Sequence, residues 1–188
     1  MDQATLRIHH IEPDSLVNGP GRRFVVWVQG CTLGCPGCFN PETFPREGGQ
    51  DMAVSALAGQ ILANCESIEG VTISGGEPLQ QIQALNNLVR AIKEQSRLSV
   101  LLFSGFTWEE IQRIPGSKEL IGNIDVLLAG RYRADNRIAR GLLSSTNKTI
   151  HFLSGRYSMQ DLAAIPEAEV IIGRDGSLTA TGIDPFRK

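Results

Sequence analysis

Three cysteines crowd into eight consecutive positions of this chain, and they restrict what it can fold around more than any other feature. They stand in the loop Cys31-Thr-Leu-Gly-Cys35-Pro-Gly-Cys38, in which interspersed glycines let the backbone wrap closely around a bulky group. Cysteines this close together are typical of metal sites in proteins of a reducing compartment, where disulfides are rare. The loop therefore predicts a metal or cluster centre.

The remaining composition is that of an ordinary globular protein. A chain of 188 residues, 41% hydrophobic and 20% charged, suits one compact core. Its formal charge of −2 gives no general attraction for nucleic acid or anionic membranes, so neither is predicted as a partner. No apolar run approaches the roughly 18 residues of a membrane span. The first residues also lack the order of a signal peptide, so we expect a cytoplasmic location.

Apolar runs of strand length alternate with helical periodicity along most of the chain. Strands joined by helices imply right-handed crossovers, and too few are present to close an eight-stranded barrel. We predict an α/β fold, an open partial (β/α) barrel of about five or six mainly parallel strands with a C-terminal β-hairpin extension. The barrel is assigned to residues 1–153 and the extension, packed on the same domain, to 154–188. The predicted strands cover about 24–28, 71–73, 99–103, 125–128 and 149–153. Helices are predicted to begin near 57, 79, 107 and 158. Residues 1–13 are predicted to form an edge strand, and residues 170–181 the hairpin.

The unusual side chains follow the ends of successive predicted strands. The cysteine loop follows the first strand, and Ser74-Gly75-Gly76-Glu77 follows the second. Ser104 follows the third strand and Arg131 the fourth. Because the carboxyl ends of parallel strands meet at one edge of the sheet, chemistry gathers there in such folds. We expect these side chains to form a single site.

Two kinds of centre fit three cysteines in one loop. A structural zinc site needs a fourth ligand, which His9, His10 or His151 would have to supply because no fourth cysteine lies near. Cys65 falls on the apolar face of a predicted helix and is expected to be a small buried hydrophobic residue. A [4Fe–4S] cluster has four irons, so one held by only three cysteines leaves one iron open to another ligand. The spacing favours the cluster.

The cysteine spacing, with three and then two residues between cysteines, resembles the signature of the radical S-adenosylmethionine (SAM) superfamily. That resemblance implies that Cys31, Cys35 and Cys38 hold the cluster and that SAM chelates the open iron through its amino and carboxylate groups. The reduced cluster then splits SAM into methionine and a 5′-deoxyadenosyl radical. Gly37 stands where the superfamily usually has an aromatic residue, and Phe39 follows the third cysteine.

The resemblance also assigns SAM contacts. Gly75 and Gly76 let the backbone approach the methionyl group, whose ammonium is expected to donate to carbonyls or to Glu77, with Ser74 opening the segment. Arg131 is expected to pair with the SAM carboxylate, as a guanidinium binds carboxylates in two-point fashion. Ser104 is expected at the ribose or the methionine, and Phe39 or the Gly37 backbone is expected to pack on the adenine.

Longer segments are similar to one subgroup, the glycyl-radical-enzyme activases, and most similar to the activating proteins of anaerobic ribonucleotide reductase. This implies a protein substrate, a backbone glycine that loses hydrogen, and an external electron donor such as flavodoxin or ferredoxin. Ala129 stands where the family tends to carry an acid two residues before the basic residue. The matching segments are 7–24, 27–31, 35–40, 73–79, 104–106, 124–131 and 145–153.

Two other functions stay open at the level of sequence. Small activase-like proteins also modify ribosomally made precursor peptides, for example by excising part of a residue, with an accessory peptide-binding protein. The third possibility belongs to another class, a non-catalytic metal-binding subunit or sensor. Residues 154–188 extend beyond the resemblance and are expected to help in docking a partner.

Overall fold

The computed structural model describes residues 4–173 and 175–182. The helices of that part are α1 (Val54–Ala63), α2 (Ile82–Gln95), α3 (Trp108–Ile111), α4 (Ser117–Ile121) and α5 (Met159–Ala163), and short 3-10 turns cover Pro41–Thr43, Pro78–Gln81 and Ala134–Asn136. The strands are β1 (Thr5–Ser15), β2 (Arg23–Val28), β3 (Gln50–Ala53), β4 (Gly70–Gly75), β5 (Ser99–Phe103), β6 (Val126–Ala129), β7 (Arg137–Arg140), β8 (Leu143–Ser145), β9 (Thr149–Phe152), β10 (Ala168–Ile172) and β11 (Leu178–Gly182).

One mixed sheet organises the molecule. Its seven strands have the order β3-β1-β2-β4-β5-β6-β9, and β3 and β9 are its two open edges. The four central strands β2, β4, β5 and β6 run parallel, whereas β1, β3 and β9 are antiparallel to their neighbours. The predicted α/β sheet with a parallel centre is confirmed. It has one strand more than expected, and β1 is interior, because β3 pairs with it as the true edge.

Both faces of the parallel strands are covered, as their continuous apolar runs predict. Alternate residues of each strand face a large core on one side, where α1 and α2 pack. The amphipathic helix α2 contributes Leu85, Leu88 and Ile92 to that core, all fully buried. On the opposite face, Leu101 and Leu128 belong to a second, smaller apolar cluster. This second face is only partly filled, which leaves room for the site described below.

The chain after β9 returns across that second face. Helix α5 has its N-cap at Ser158, near which the sequence predicted a helix to begin, and the N–H and hydroxyl of Ser158 each donate to the Asp161 carboxylate at 2.7 Å. Leu162 of this helix packs in the second cluster. The antiparallel hairpin β10–β11 follows, also as predicted. Its Glu169 accepts a hydrogen bond from the backbone N–H of Leu16 at 3.0 Å, which fastens the hairpin to the turn after β1.

A buried arginine marks the amino ends of the parallel strands. Arg23 has no exposed surface, and it donates to the Thr72 hydroxyl at 3.1 Å and to the Val71 carbonyl at 2.6 Å. Burial lowers the pKa of Arg23 to about 10. The hydroxyls of Ser99 and Tyr157 lie 2.7 Å apart beside it. The start of the C-terminal segment is therefore held at the end of the sheet opposite to the cysteines.

Short polar elements were not anticipated from sequence. Strand β3 is formed by Gln-Asp-Met-Ala, whose pattern does not indicate a strand, and it exists through its pairing with β1. Strands β7 and β8 form a small separate hairpin. In the described residues, no helix is long and apolar enough to cross a membrane.

Candidate functional site

The cysteine loop leaves the sheet at the end of β2 and is fixed by backbone hydrogen bonds to the turn after it. The N–H of Gly30 donates to Thr43 at 2.8 Å, and the N–H of Cys31 donates to Phe44 at 3.2 Å. All three thiols are free and half-buried. Burial is the largest cause that raises the pKa of Cys31 and Cys38. Formation of thiolate ligands there therefore needs a positive group, such as metal, nearby.

The Gly-Gly-Glu segment at the end of β4 braces this loop. The N–H of Gly76 donates to Val28 at 2.8 Å, and the N–H of Glu77 donates to Gly30 at 2.9 Å. A Cβ atom at Gly76 would lie 2.3 Å from the carbonyl oxygen of Gly30, far inside contact distance. Gly76 thus serves the close approach of two strand ends, in addition to the expected approach of a ligand.

Glu77 is a buried carboxylate that joins neighbouring strand ends. It accepts from the Ser104 hydroxyl at 3.0 Å and from the N–H groups of Gly105 at 2.7 Å and Leu79 at 3.0 Å. Burial outweighs these bonds and raises the pKa of Glu77 to about 7. The sequence placed Glu77 and Ser104 at a ligand; the structure shows that they also bind each other.

Arg131, which was expected at the SAM carboxylate, forms an ion pair with a neighbouring acid, and the charges of Cys35 and Glu77 also act on it. Its guanidinium pairs with the Glu110 carboxylate at 2.6 Å, and the side chains are 39% and 38% exposed. Glu110 is itself fixed because it forms the capping box of α3 with Thr107. The guanidinium carbon lies 5.7 Å from the centre of the Phe106 ring. The fixed Glu110 carboxylate therefore holds the Arg131 side chain near the carboxyl ends of the parallel strands.

Phe39 belongs to an aromatic group beside the third cysteine. Its ring centre lies 4.9 Å from that of Tyr132, and the Arg137 guanidinium lies over it at 4.8 Å. Gly37 has a φ of +70°, which favours glycine, and a Cβ atom there would lie 3.7 Å from the Tyr132 ring. Gly37 thus faces the Tyr132 ring, which itself packs on Phe39.

One cavity of about 350 Å³ brings most of the expected residues together. It opens on the face of the sheet that α5 and the C-terminal hairpin cover. Gly37 and Arg131 are absent from its described lining. The sequence-predicted residues that line it are Cys31, Cys35, Cys38, Phe39, Ser74, Gly75, Gly76, Glu77 and Ser104.

Other lining residues were not expected from the sequence. His10 and Trp27 have ring centres 5.5 Å apart and line the cavity on the β1–β2 side, and Thr179 to Gly182 of the hairpin line it too. Lys148 lines it beside the cysteines. Site residues were expected only after the ends of strands, but Lys148 precedes β9. Because β9 is antiparallel to β6, with Thr149 opposite Ala129, its start lies at the same edge of the sheet.

The donor set fits a cluster better than a single ion. Across the residues that the structure describes, no three His, Cys, Asp or Glu side chains converge on one ion position. A cubane needs no such convergence, because its three thiolates bind three different irons. Of the histidines considered as zinc ligands, His151 stacks on Trp108 at 4.4 Å, and His9 bonds Gln29 through Nδ1 at 2.7 Å. Cys65 is half-buried and packs against the main core.

Comparisons with known proteins identify an iron–sulfur domain and several activating proteins as relatives. The model of a 4Fe-4S single cluster domain matches residues 17–151. An anaerobic ribonucleoside-triphosphate reductase-activating protein of Escherichia coli K12 is 30% identical over 159 residues, covering 79% of this chain and 99% of that protein. The phage T4 protein of the same name is 34% identical, covering 65% and 78%. A pyruvate formate-lyase-activating enzyme of Clostridium pasteurianum is 35% identical over 61% of this chain, which spans only half of that enzyme.

A parallel-centred α/β sheet with three free cysteines in one loop at its strand ends suits an enzyme that binds an iron–sulfur cluster. The match to the single-cluster model over most of the chain supports that class. Together with the reductase-activating relatives, this places the chain in the radical SAM family of glycyl-radical-enzyme activases. Its cofactors are accordingly a [4Fe–4S] cluster and SAM.

Proposed function

We propose that this chain cleaves SAM reductively and uses the resulting radical to take a hydrogen atom from a polypeptide, in the first instance from a glycine of a glycyl radical enzyme. Cys31, Cys35 and Cys38 would hold the cluster. When bound, the cluster supplies the electron that breaks the carbon–sulfur bond of SAM. The observation that carries the proposal is the single cavity shared by these thiols and the Gly-Gly-Glu segment.

The chain's own residues provide position and exclusion of water. The Gly75–Gly76 backbone and Ser74 line the cavity where the methionyl group would lie, and Glu77 fixes the two strand ends. The returning C-terminal segment covers the face on which the cavity opens. A primary carbon radical reacts with whatever is nearest, so such a cover matters for a selective reaction.

A polypeptide substrate fits both the relatives and the cavity. The Escherichia coli and phage T4 relatives are named as activating proteins of a reductase, which is itself a protein. The cavity extends from the cysteines past Trp27 and Asn18 to the hairpin strand β11. A glycine Cα radical is stabilised between an amide nitrogen and a carbonyl. An external one-electron donor of the flavodoxin or ferredoxin type would reduce the cluster.

The test is anaerobic reconstitution followed by reaction with dithionite and SAM. We expect about four iron and four sulfide per chain, as the cubane requires, and release of 5′-deoxyadenosine and methionine. With the partner enzyme present, a glycyl doublet should develop in the electron paramagnetic resonance spectrum. Stoichiometric zinc with no SAM cleavage would contradict the proposal and favour a metal-binding subunit.

One observation favours a second candidate, modification of a precursor peptide. Residues Thr179 to Gly182 wall the cavity, yet they lie outside the residues 17–151 that the family model matches. Because the chain closes this side of the cavity with its own residues, the loop of a large partner enzyme is less necessary to close it. In this case the precursor peptide changes mass and no persistent radical accumulates, and an accessory peptide-binding protein would present the peptide.

A further inference from the structure

The hairpin β10–β11 rests on the body of the molecule through one of its two faces. Glu169 and Thr181 are cross-strand partners and therefore share a face. Glu169 accepts from the N–H of Leu16 at 3.0 Å, and the Thr181 hydroxyl accepts from the Asn18 side chain at 2.9 Å. Because Leu16 and Asn18 both follow the end of β1, this face of the hairpin is fixed to the turn after β1.

The other face of the hairpin is apolar and open. Ile172 and Leu178 are cross-strand partners, and Val170 shares their face because side chains alternate along a strand. Val170 is 54% exposed, Ile172 73% and Leu178 70%. A two-stranded hairpin is at best marginally stable, and a third strand or a cover over its apolar face stabilises it. The hairpin is therefore an incomplete sheet.

The register of the hairpin identifies the free backbone groups of β11. The N–H of Gly173 donates to the carbonyl of Ser177 at 2.8 Å, so these two residues form a hydrogen-bonded pair. Bonded and non-bonded pairs alternate along an antiparallel ladder, and the backbones of Leu178, Ala180 and Gly182 therefore point away from β10. Among the residues that the structure describes, no third strand pairs with this edge.

This edge of β11 faces the cavity. Residues Thr179 to Gly182 line the cavity, whereas none of the described residues of β10 does. Natural sheet edges are commonly protected against pairing by charged residues or proline, and the sequence Leu-Thr-Ala-Thr-Gly of β11 has neither. Such an edge suits one class of ligand, an extended polypeptide, because its N–H and C=O groups match those of another strand.

We propose that the polypeptide substrate binds as a third strand along the edge of β11, with its backbone paired to Leu178, Ala180 and Gly182. The inference rests on the proposed function, from which it takes the polypeptide. It adds how that polypeptide is held. Main-chain pairing positions it along the cavity wall, and the side chain opposite Leu178 extends the apolar face of the hairpin.

The probe is a peptide of about ten residues, the upper end of usual strand lengths. One glycine stands in it among alternating threonine and valine residues, which favour an extended strand. The peptide is added to the reconstituted protein with the cluster oxidised, and amide hydrogen exchange is followed by nuclear magnetic resonance. We expect the amides of Leu178 and Ala180 to gain protection. Those of Thr179 and Thr181, which face β10, should change little.

A pair of proline variants separates pairing at this edge from the integrity of the hairpin. Ala180→Pro removes an outward N–H in the middle of β11, and we expect the peptide to bind roughly 2- to 10-fold more weakly, as for loss of one hydrogen bond. Val170→Pro is the matched control, because Val170 lies opposite Ala180 and its N–H points to the other edge. It should leave peptide binding unchanged.

Methylation of single amide nitrogens in the peptide gives a signature of strand pairing. Successive amides of a strand point to opposite sides, so binding should weaken at every second position and stay the same at the positions between. This scan uses the unaltered protein, so it decides the question even where a proline disrupts the hairpin.

Any of four results would overturn the inference. The first three are no added protection at Leu178 and Ala180 with the peptide in large excess, equal losses for Ala180→Pro and Val170→Pro, and methylation effects that do not alternate. The fourth is protection without peptide together with a doubled mass in sedimentation, since the edge would then pair with a second copy of this chain. If the unaltered protein forms no 5′-deoxyadenosine from SAM and dithionite, the proposed function falls; if it does, only the strand pairing is at stake.

Discussion

The hydroxyl of Ser104 donates to the carboxylate of Glu77 at 3.0 Å, and this contact joins the ends of the parallel strands β4 and β5. The same Glu77 residue bonds Gly30 of the cysteine loop through its backbone N–H. Three strand ends are therefore linked through one acidic residue. The Gly-Gly-Glu segment acts as a structural junction at the site as well as part of the wall of the cavity.

Glu77 should make stability depend on pH. Its pKa is raised to about 7 in the folded protein, from an ordinary value of 4.5. Between pH 4.5 and 7 the folded state holds a proton that the unfolded state has released. The contribution of Glu77 to the free energy of unfolding is therefore fully present below pH 4.5 and is lost as pH rises through 7. Between those values we expect the unaltered protein to lose up to about 3 kcal/mol relative to Glu77→Gln. Denaturant unfolding of the reconstituted proteins across this range measures the difference; parallel pH curves would contradict it.

Gly76→Ala should disturb the cysteine loop. The new Cβ atom would lie 2.3 Å from the Gly30 carbonyl oxygen, and backbone cannot yield as a flexible side chain does. We expect less iron bound per chain after reconstitution, together with weaker SAM binding. Gly59→Ala in α1 is the matched control, because its Cβ atom meets nothing within 4 Å and alanine favours a helix. Full iron content in Gly76→Ala would show that the loop accommodates the methyl group.

The cysteines should divide into two classes. Replacement of Cys31, Cys35 or Cys38 by alanine removes a ligand in the cavity, so each variant should lose both the cluster and SAM cleavage. Cys65→Ala should keep both, because Cys65 packs against the main core outside the cavity. We expect Cys65→Ala to lower the free energy of unfolding by at most about 1 kcal/mol, because the change in side-chain volume is small. Iron analysis and 5′-deoxyadenosine release measure the outcome, and loss of the cluster in Cys65→Ala would reverse the assignment.

The hairpin should matter more for the polypeptide than for SAM. Glu169→Ala removes the acceptor that ties β10 to Leu16, which should loosen the wall formed by β11. We expect the reaction with the polypeptide to fall severalfold, while SAM cleavage without substrate changes little. The exposed neighbour Glu167→Ala is the control. Deletion of residues 176–188 should have the same effect more strongly, and equal losses in both reactions would refute the division of roles.

Sequence periodicity predicted the parallel centre of the sheet because those strands are apolar on both faces. Phe24 to Val28 and Ser99 to Phe103 lie within a residue of the observed strands. Helix α2 was equally clear, since its apolar stripe matches the helical period. Strand β3 was missed because its residues are mostly polar and pairing with β1, a tertiary contact, forms it.

The cavity could be predicted only in part. The cysteine and Gly-Gly-Glu segments carry recognisable spacing, and the structure brings them together. Arg131 was expected at the ligand from its position after a strand, and the structure adds its ion pair with Glu110 from the cap of α3, which the sequence did not show. Lys148 was missed because the direction of β9 is set by pairing in space. Contacts between segments that are distant in the sequence set the positions of both side chains.

The segment after β9 is fastened at Tyr157 beside the buried Arg23 and again at Glu169, and β11, which lines the cavity, comes after the second of these points. The cysteine loop has its own supports from β2 and β4. Under the proposed function, radical generation would belong to the cysteine loop and the choice of polypeptide to the hairpin, so the two could be exchanged separately. A hairpin transplanted in place of β10–β11 would then direct the enzyme to another polypeptide while the cluster loop stays as it is.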